Sequence, residues 1–190
     1  MKKRFGIIGN PIKHSLSPVL HKYWFKKYAI DADYTIIEAT DMELSKIITE
    51  IKKENFIGIN VTLPFKQKII NYLDKIVNDA ELTGSVNTIF LNNDKTVVGE
   101  NTDVYGLQAA YLKEMDNSYN KKALVIGAGG VSPSVVLSIK KSGIKNISIT
   151  NRTNEKCIFL KKKFHYLNII PWSDLKSEIK NFDIIINATS

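Results

Sequence analysis

Cysteine is nearly absent from this 190-residue chain, since Cys157 is the only one. A lone cysteine excludes an intramolecular disulfide and is typical of a reducing compartment, so we expect a cytoplasmic protein. Long hydrophobic runs are also missing, because no apolar stretch approaches the length of a membrane span. The apolar part of the N-terminal residues 1–11 is too short for a secretion signal. The sequence therefore predicts no membrane association.

Arginine is scarce as well. The net charge is +8, yet Arg4 and Arg152 are the only arginines, and the many lysines are mostly scattered. Nucleic-acid-binding surfaces usually interleave arginine with aromatic residues, so we expect no nucleic-acid partner. No set of histidine, cysteine and carboxylate residues has the spacing of metal ligands, so we expect no metal.

Segments with strand and helix patterns alternate along the chain, which is typical of a mostly parallel sheet covered by helices. The first part contains predicted strands at 5–8, 34–39 and 56–62 and a hairpin of 86–91 with 96–98. Its predicted helices cover about 20–28, 42–53, 65–73 and 103–115. The second part contains predicted strands at 123–126, 147–150, 168–170 and 183–187, with a helix over 131–142 that Gly143 ends.

The most informative stretch is the apolar run from Ala123 that ends in clustered glycines. Its pattern, Gly127-x-Gly129-x-x-Ser132, predicts a strand that turns sharply into a helix. At such a turn the backbone can approach a pyrophosphate, and the helix N-terminus supplies free N–H groups. A plain strand–turn–helix without a ligand is the alternative. The predicted cofactor-binding residues of this turn are Gly127, Ala128, Gly129, Gly130 and Val131.

The next predicted strand ends at Asn151-Arg152-Thr153. Folds that bind NAD usually place an acidic residue there, on the ribose 2′-hydroxyl. Here a guanidinium and two hydrogen-bonding side chains stand instead, and these suit a 2′-phosphate. The sequence therefore predicts NADP rather than NAD as the cofactor.

These patterns predict an α/β protein of two domains. Residues 1–103 form an N-terminal α/β domain with a mostly parallel sheet, and residues 104–118 form a connecting helix and linker. Residues 119–190 form a Rossmann-like NADP-binding domain that is incomplete at its C-terminus.

Polar residues of the first domain follow its predicted strands. They are Ser15, Ser17, Asn60, Thr62, Lys66, Asn87 and Asp103. Ordinary structural roles are the alternative for several of them: Ser17 before Pro18 and also Asp103 could cap helices, and Lys66 could be a surface lysine. Asn60 and Asn87 are harder to explain in this way, because an asparagine inside an apolar strand needs hydrogen-bond partners.

Taken together, these segments resemble the shikimate dehydrogenase family. The matching motifs are Gly9–Pro18, Asn60–Lys66, Gly84–Thr88, Gly99–Gly106, Gly127–Gly130, Asn151–Thr153 and Asn187–Ser190. They occur in the family's order and with similar spacing from Arg4 to the last residue. The resemblance implies NADPH-dependent, reversible reduction of 3-dehydroshikimate to shikimate, a step of aromatic amino acid (chorismate) biosynthesis.

The resemblance also implies a role for each matching residue. Ser15 and Ser17 would hold the substrate carboxylate, and Asn60, Thr62, Asn87 and Asp103 would bind the ring hydroxyls. Lys66 and Asp103 would be the catalytic pair. The turn 127–132 would hold the pyrophosphate of NADP, and Arg152, Thr153 and Lys156 would hold its 2′-phosphate, with Asn151 beside them.

Two other functions stay open from the sequence. One is a quinate/shikimate dehydrogenase with relaxed substrate choice, and the other is a non-catalytic binding or regulatory module of the same fold. Oligomeric state is also open, a homodimer included. The chain ends in the loop after a buried-type strand, while members of the family are longer, so we expect a product that lacks a C-terminal part and has impaired catalysis.

Overall fold

The computed structural model describes residues 2–112 and 120–189. The chain divides into two compact units, Met1–Asn101 and Thr102–Ser190. The helix that begins at Asp103 therefore belongs to the second unit. The predicted end of that helix at Met115 and the predicted linker residues 113–118 lie outside the described residues.

The first unit is built on a six-stranded sheet with strand order β2-β1-β3-β5-β6-β4. Its strands are β1 (Lys3–Gly9), β2 (Ala32–Glu38), β3 (Gly58–Val61), β4 (Lys75–Ile76), β5 (Thr88–Leu91) and β6 (Val97–Glu100). Strands β2, β1 and β3 are parallel neighbours, and β5 runs antiparallel to both β3 and β6. The antiparallel β5–β6 pair confirms the hairpin predicted from the sequence.

The helices of the first unit are α1 (Ser17–Lys27), α2 (Leu44–Lys52) and α3 (Asp79–Thr83). Helix α2 is amphipathic as predicted, because its apolar side chains recur at helical spacing and are buried in the core below the sheet. The buried side chains of α2 are Leu44, Ile47, Ile48 and Ile51.

The prediction of a helix over 65–73 was wrong. The structure has only a short 3₁₀ turn, Lys68–Tyr72. Strand β4 pairs with β6 from Lys75 onward, so the chain must be extended again almost at once. Neither β4 nor α3 was predicted, because a two-residue strand and a single helical turn show no periodicity.

The second unit has a four-stranded parallel sheet with strand order β10-β7-β8-β9. Its strands are β7 (Lys122–Ile126), β8 (Asn146–Thr150), β9 (Leu167–Ile169) and β10 (Ile184–Asn187). Its helices are α4 (Asp103–Leu107), α5 (Ser132–Lys141), α6 (Asn154–Lys163) and α7 (Leu175–Glu178). All four strands and α5 agree with the sequence prediction to within a few residues, and the α/β fold class is confirmed.

Strand β7 lies inside this sheet, and its residues Ala123, Leu124 and Val125 are fully buried. Helix α5 covers it with an almost wholly buried surface and ends before Gly143, whose φ of 90° is the left-handed conformation that glycine permits. Helix α4 ends at Leu107 and continues as a π-helical turn, Gln108–Leu112. Among residues 2–112 and 120–189, no helix combines the length and apolar character needed to cross a bilayer.

Candidate functional site

The carboxyl ends of β1 and β3 meet at one edge of the first sheet. The Thr62 N–H donates to the Ile8 carbonyl at 2.9 Å, and the Asn10 N–H donates to the Leu63 carbonyl at 3.0 Å. A Cβ built on Gly9 would stand 2.6 Å from Thr62 Cγ2, so a larger residue at position 9 would force Thr62 to shift. The motif residues that follow β1 and β3 are thus brought side by side.

The first of these segments leads into α1. Ser17 is the first residue of α1 and Leu16 is its N-cap, without a side-chain cap, so the alternative role of Ser17 as N-cap is wrong. The Ser17 N–H instead donates to Ser15 Oγ at 3.3 Å, which leaves both hydroxyl groups on the same turn. Both serines are half-buried.

Asn60 lies on β3 and makes three side-chain hydrogen bonds. The Tyr34 hydroxyl donates to its Oδ1 at 2.7 Å. Its Nδ2 donates to the Asn87 carbonyl at 3.3 Å and to Thr88 Oγ1 at 3.2 Å. The prediction that a strand-interior asparagine needs partners is confirmed here, and both amide hydrogens of Asn60 are used inside the protein.

Asn87 precedes β5 and lies between β3 and β6. The Val61 N–H donates to its carbonyl at 2.8 Å, and its own N–H donates to the Glu100 carbonyl at 3.0 Å. The Thr88 hydroxyl donates to Asn87 Oδ1 at 3.0 Å. The Asn87 side chain is therefore held next to Asn60 by both the backbone and a neighbouring hydroxyl.

Sequence reasoning missed Tyr34, which is 2% exposed on β2. Its ring stacks on His21 of α1, with 4.2 Å between the ring centroids and 11° between the planes. Burial raises the pKa of Tyr34 to about 12, an effect that the hydrogen-bonded Ser17 side chain partly offsets. Burial also lowers the pKa of His21. A tyrosine at an inward position of a strand was the only sequence signal for this residue.

Lys66 is half-buried and stands on the turn that follows β3. The Val86 N–H donates to the Lys66 carbonyl at 2.8 Å, which ties this turn to the residue before Asn87. The Phe65 N–H donates to the Thr62 carbonyl at 3.0 Å, and the Phe65 side chain, 1% exposed, anchors the turn in the core. The first unit thus holds Lys66 on a well-packed backbone.

Asp103 lies in the second unit, as the first residue of α4. Thr102 is the N-cap, so the alternative that Asp103 caps the helix is wrong. The helix is fixed to its unit by Val104, which is fully buried and whose carbonyl accepts from the Ser138 hydroxyl at 2.9 Å. Asp103 itself is half-buried.

The glycine turn after β7 is held by its own polar groups. The Gly127 N–H donates to the Thr150 carbonyl at 2.8 Å. Ser132 Oγ accepts from the Gly129 N–H and donates to the Gly127 carbonyl, both at 2.9 Å. A serine at the third small position of the motif, where glycine is more usual, therefore acts as a brace within the turn. The pattern of small residues alone did not reveal that role.

The glycines of the turn are needed for different reasons. Gly127 has a φ of 110°, and a Cβ there would lie 2.9 Å from the carbonyl carbon and oxygen of Ala188. At Gly129 and Gly130 a Cβ would meet no atom within 4 Å. Packing inside the protein thus explains Gly127 but neither Gly129 nor Gly130, and open space at those two positions is what a bound phosphate requires.

Two substitutions test whether Gly127 is required for packing while Gly129 is not. Gly127→Ala should lower the free energy of unfolding by about 2–4 kcal/mol, because it combines backbone strain with a steric clash. Gly129→Ala should leave that free energy within about 0.5 kcal/mol of the parent protein. Chemical denaturation followed by circular dichroism measures both. Equal losses for the two variants would contradict this account of the turn.

Asn151 braces the glycine turn from the end of β8. Its Oδ1 accepts from the Ala128 N–H at 3.3 Å, and its Nδ2 donates to the Thr153 carbonyl at 2.9 Å. Arg152, Thr153 and Lys156 are exposed at the start of α6, where Thr153 is the N-cap. An anion placed there would meet two cationic side chains and the N-terminal N–H groups of the helix.

Comparison with known proteins gives consistent similarities. Residues 7–89 match the family model of the shikimate dehydrogenase substrate binding domain, and residues 110–190 match that of shikimate / quinate 5-dehydrogenase. The chain is 48% identical over 190 residues to an NADP(+) shikimate dehydrogenase of Pelagibacter ubique, covering 100% of this chain and 70% of that protein.

Solved structures are similar as well. The shikimate dehydrogenase of Aquifex aeolicus superposes with a TM-score of 0.91 at 36% identity, covering 100% of this chain and 69% of that one. A shikimate dehydrogenase solved in complex with NADP+ gives a TM-score of 0.89 at 34% identity, covering 99% of this chain and 67% of that one.

Proposed function

The chain belongs to the shikimate dehydrogenase family, whose members are NADP-dependent oxidoreductases, and we propose that it interconverts shikimate and 3-dehydroshikimate. The observation that carries this proposal is the cluster of Ser17, Asn60 and Asn87 in the first unit, together with Lys66 on the adjoining turn. A hydroxylated ring with a carboxylate needs several fixed hydrogen-bonding groups, and this cluster provides them.

The cluster also suggests what each residue contributes. Ser15 and Ser17 offer hydroxyl groups to the substrate carboxylate. Asn60 has donated both amide hydrogens within the protein, so it offers the substrate only the remaining lone pair of Oδ1 and accepts from a ring hydroxyl. Thr62, Asn87 and Asp103 complete the predicted contacts with the ring.

Lys66 and Asp103 are the proposed catalytic pair. NADPH, when bound, supplies the hydride that reduces the carbonyl carbon. The Lys66 ammonium gives a proton to the oxygen that becomes the hydroxyl, and Lys66 takes the proton back in the reverse reaction. The Asp103 carboxylate is proposed to accept a hydrogen bond from the reacting hydroxyl and so to orient it.

The second unit is the proposed NADP-binding domain. The open space at Gly129 and Gly130 and the position of the turn before the N-terminus of α5 support a pyrophosphate site over Gly127–Val131. Arg152, Thr153 and Lys156 are proposed to hold the 2′-phosphate. Asn151 is proposed to support both parts of the cofactor site, because its side chain bonds to Ala128 in the glycine turn and to Thr153 before α6.

Initial rates test the proposal. The chain is mixed with shikimate or quinate and with NADP or NAD, and reduced nicotinamide is followed by its absorbance. We expect the highest kcat/KM with shikimate and NADP. Comparable rates with quinate would favour the broader activity named by the second family model, shikimate / quinate 5-dehydrogenase. Binding of shikimate without turnover would favour a non-catalytic module.

The cellular location and the oligomeric state are also proposals. A cytoplasmic location is supported by the single cysteine, Cys157, which is buried as a free thiol. The oligomeric state, including a homodimer, stays a prediction that light scattering after size-exclusion chromatography would test.

A further inference from the structure

Two residues that the sequence did not assign, Tyr34 and Thr88, bond to two proposed substrate-binding residues, Asn60 and Asn87. The Tyr34 hydroxyl contacts Asn60. The Thr88 hydroxyl contacts both Asn60 and Asn87. The four side chains come from β2, β3, β5 and the residue before β5, all within the first unit.

One backbone group fixes the orientation of the Asn60 amide. The Asn87 carbonyl can only accept, so the Asn60 atom that faces it at 3.3 Å must be Nδ2. Asn60 Oδ1 then faces the Tyr34 hydroxyl, and Tyr34 must donate its single hydrogen to it.

The same reasoning continues on the other side of Asn60. The second Nδ2 hydrogen is donated to Thr88 Oγ1 at 3.2 Å. The Thr88 hydroxyl keeps its own hydrogen, and it donates this hydrogen to Asn87 Oδ1 at 3.0 Å. In the structure the oxygen of the Asn87 amide thus faces Thr88. The bonds run in one direction, from Tyr34 to Asn60, from Asn60 to Thr88, and from Thr88 to Asn87.

We propose that Tyr34 and Thr88 are positioning residues that hold the amides of Asn60 and Asn87 in these orientations for a polyhydroxylated ring. The inference rests on the proposed function for the identity of that ring. Neither residue touches the substrate in this proposal. Tyr34 is suited to the task because the stacked His21 ring holds its own ring in place, and as an un-ionised phenol it always carries a hydrogen to donate.

A measurement without substrate tests the orientations directly. Side-chain amide resonances of Asn60 and Asn87 are recorded by ¹H–¹⁵N NMR, together with their exchange with water. Thr88→Val should shift the resonances of both residues and speed exchange of the Asn60 amide, whereas Thr88→Ser should keep them. Thr35→Val is the matched control, because Thr35 lies on the same sheet and its hydroxyl bonds only weakly, to the Phe5 carbonyl at 3.4 Å. Unchanged resonances in Thr88→Val would overturn the inference.

A binding measurement tests the consequence for the ligand. Isothermal titration with shikimate should give a dissociation constant raised about three- to tenfold in Thr88→Val and in Tyr34→Phe, with parent affinity in Thr88→Ser. Tyr28→Phe serves as the tyrosine control, since Tyr28 is 64% exposed. Parent affinity in Thr88→Val would overturn the positioning role. Absence of shikimate binding by the parent chain would instead count against the proposed function, and the amide spectra would still decide the orientations.

Discussion

Replacing Lys66 by alanine should lower the turnover of shikimate by about 10²–10⁴-fold, the usual contribution of a positioned acid–base group. The reason is that no side chain would then transfer the proton to or from the reacting oxygen. The KM for shikimate should change far less, because several other groups are proposed to hold the ring. Steady-state rates followed at the NADPH absorbance separate the two parameters.

Lys68→Ala is the matched control for this experiment. Lys68 follows Lys66 by two residues, is exposed, and pairs with Asp41 at 2.5 Å. An exposed ion pair contributes little to stability, so this variant should keep the parent turnover. Near-normal turnover in Lys66→Ala would remove Lys66 from the catalytic role.

Asp103→Asn extends the same test. If Lys66 and Asp103 act as a unit, the double variant with Lys66→Ala and Asp103→Asn should have about the turnover of the slower single variant. Once one member of the pair is gone, removal of the other causes little further loss of turnover. Strictly additive losses would show that the two residues act independently. Thermal unfolding of each variant checks that α4 keeps its place.

Replacing Arg152 by alanine should weaken NADP binding by roughly 10- to 150-fold, which corresponds to about 1.5–3 kcal/mol for a charge-assisted hydrogen bond. NAD binding should change little, because NAD carries no 2′-phosphate for the guanidinium to meet. The preference for NADP over NAD should therefore fall by nearly the full factor. Fluorescence titration with both dinucleotides measures it.

Lys161→Ala is a suitable control here, since Lys161 is an exposed cation of the same helix but lies in its last turn. It changes the net charge by the same amount as Arg152→Ala and should leave the NADP preference intact. A loss of NADP affinity equal to that of Arg152→Ala would point to a general electrostatic effect. The 2′-phosphate role of Arg152 would then be wrong.

The sequence predicted much of the second unit because its elements are regular. Buried strands such as β7 are continuous apolar runs, and the glycines at 127 and 143 mark turns that few other residues could make. The role of Ser132 could not be predicted from the sequence. Its two hydrogen bonds depend on the geometry of the turn, which the spacing of small residues does not specify.

In the first unit the sequence indicated that Asn60 and Asn87 need partners but not which ones. Tyr34 is 26 positions from Asn60 in the chain, and only the pairing of β2, β1 and β3 brings their side chains together. Long-range contacts of this kind depend on strand order, which local patterns do not determine. The missed β4 had the same cause, because a very short strand is stabilised by its neighbour rather than by its own sequence.

The saturated bonding of Asn60 has a consequence for the ligand groups that it can select. Its Oδ1 already accepts from the Tyr34 hydroxyl, and both Nδ2 hydrogens are donated inside the protein. A ligand hydroxyl can still donate to Oδ1, whereas an ether oxygen at the same place would meet a second acceptor with no hydrogen between them. Asn60 therefore discriminates between a hydroxyl and its methyl ether by polarity as well as by size.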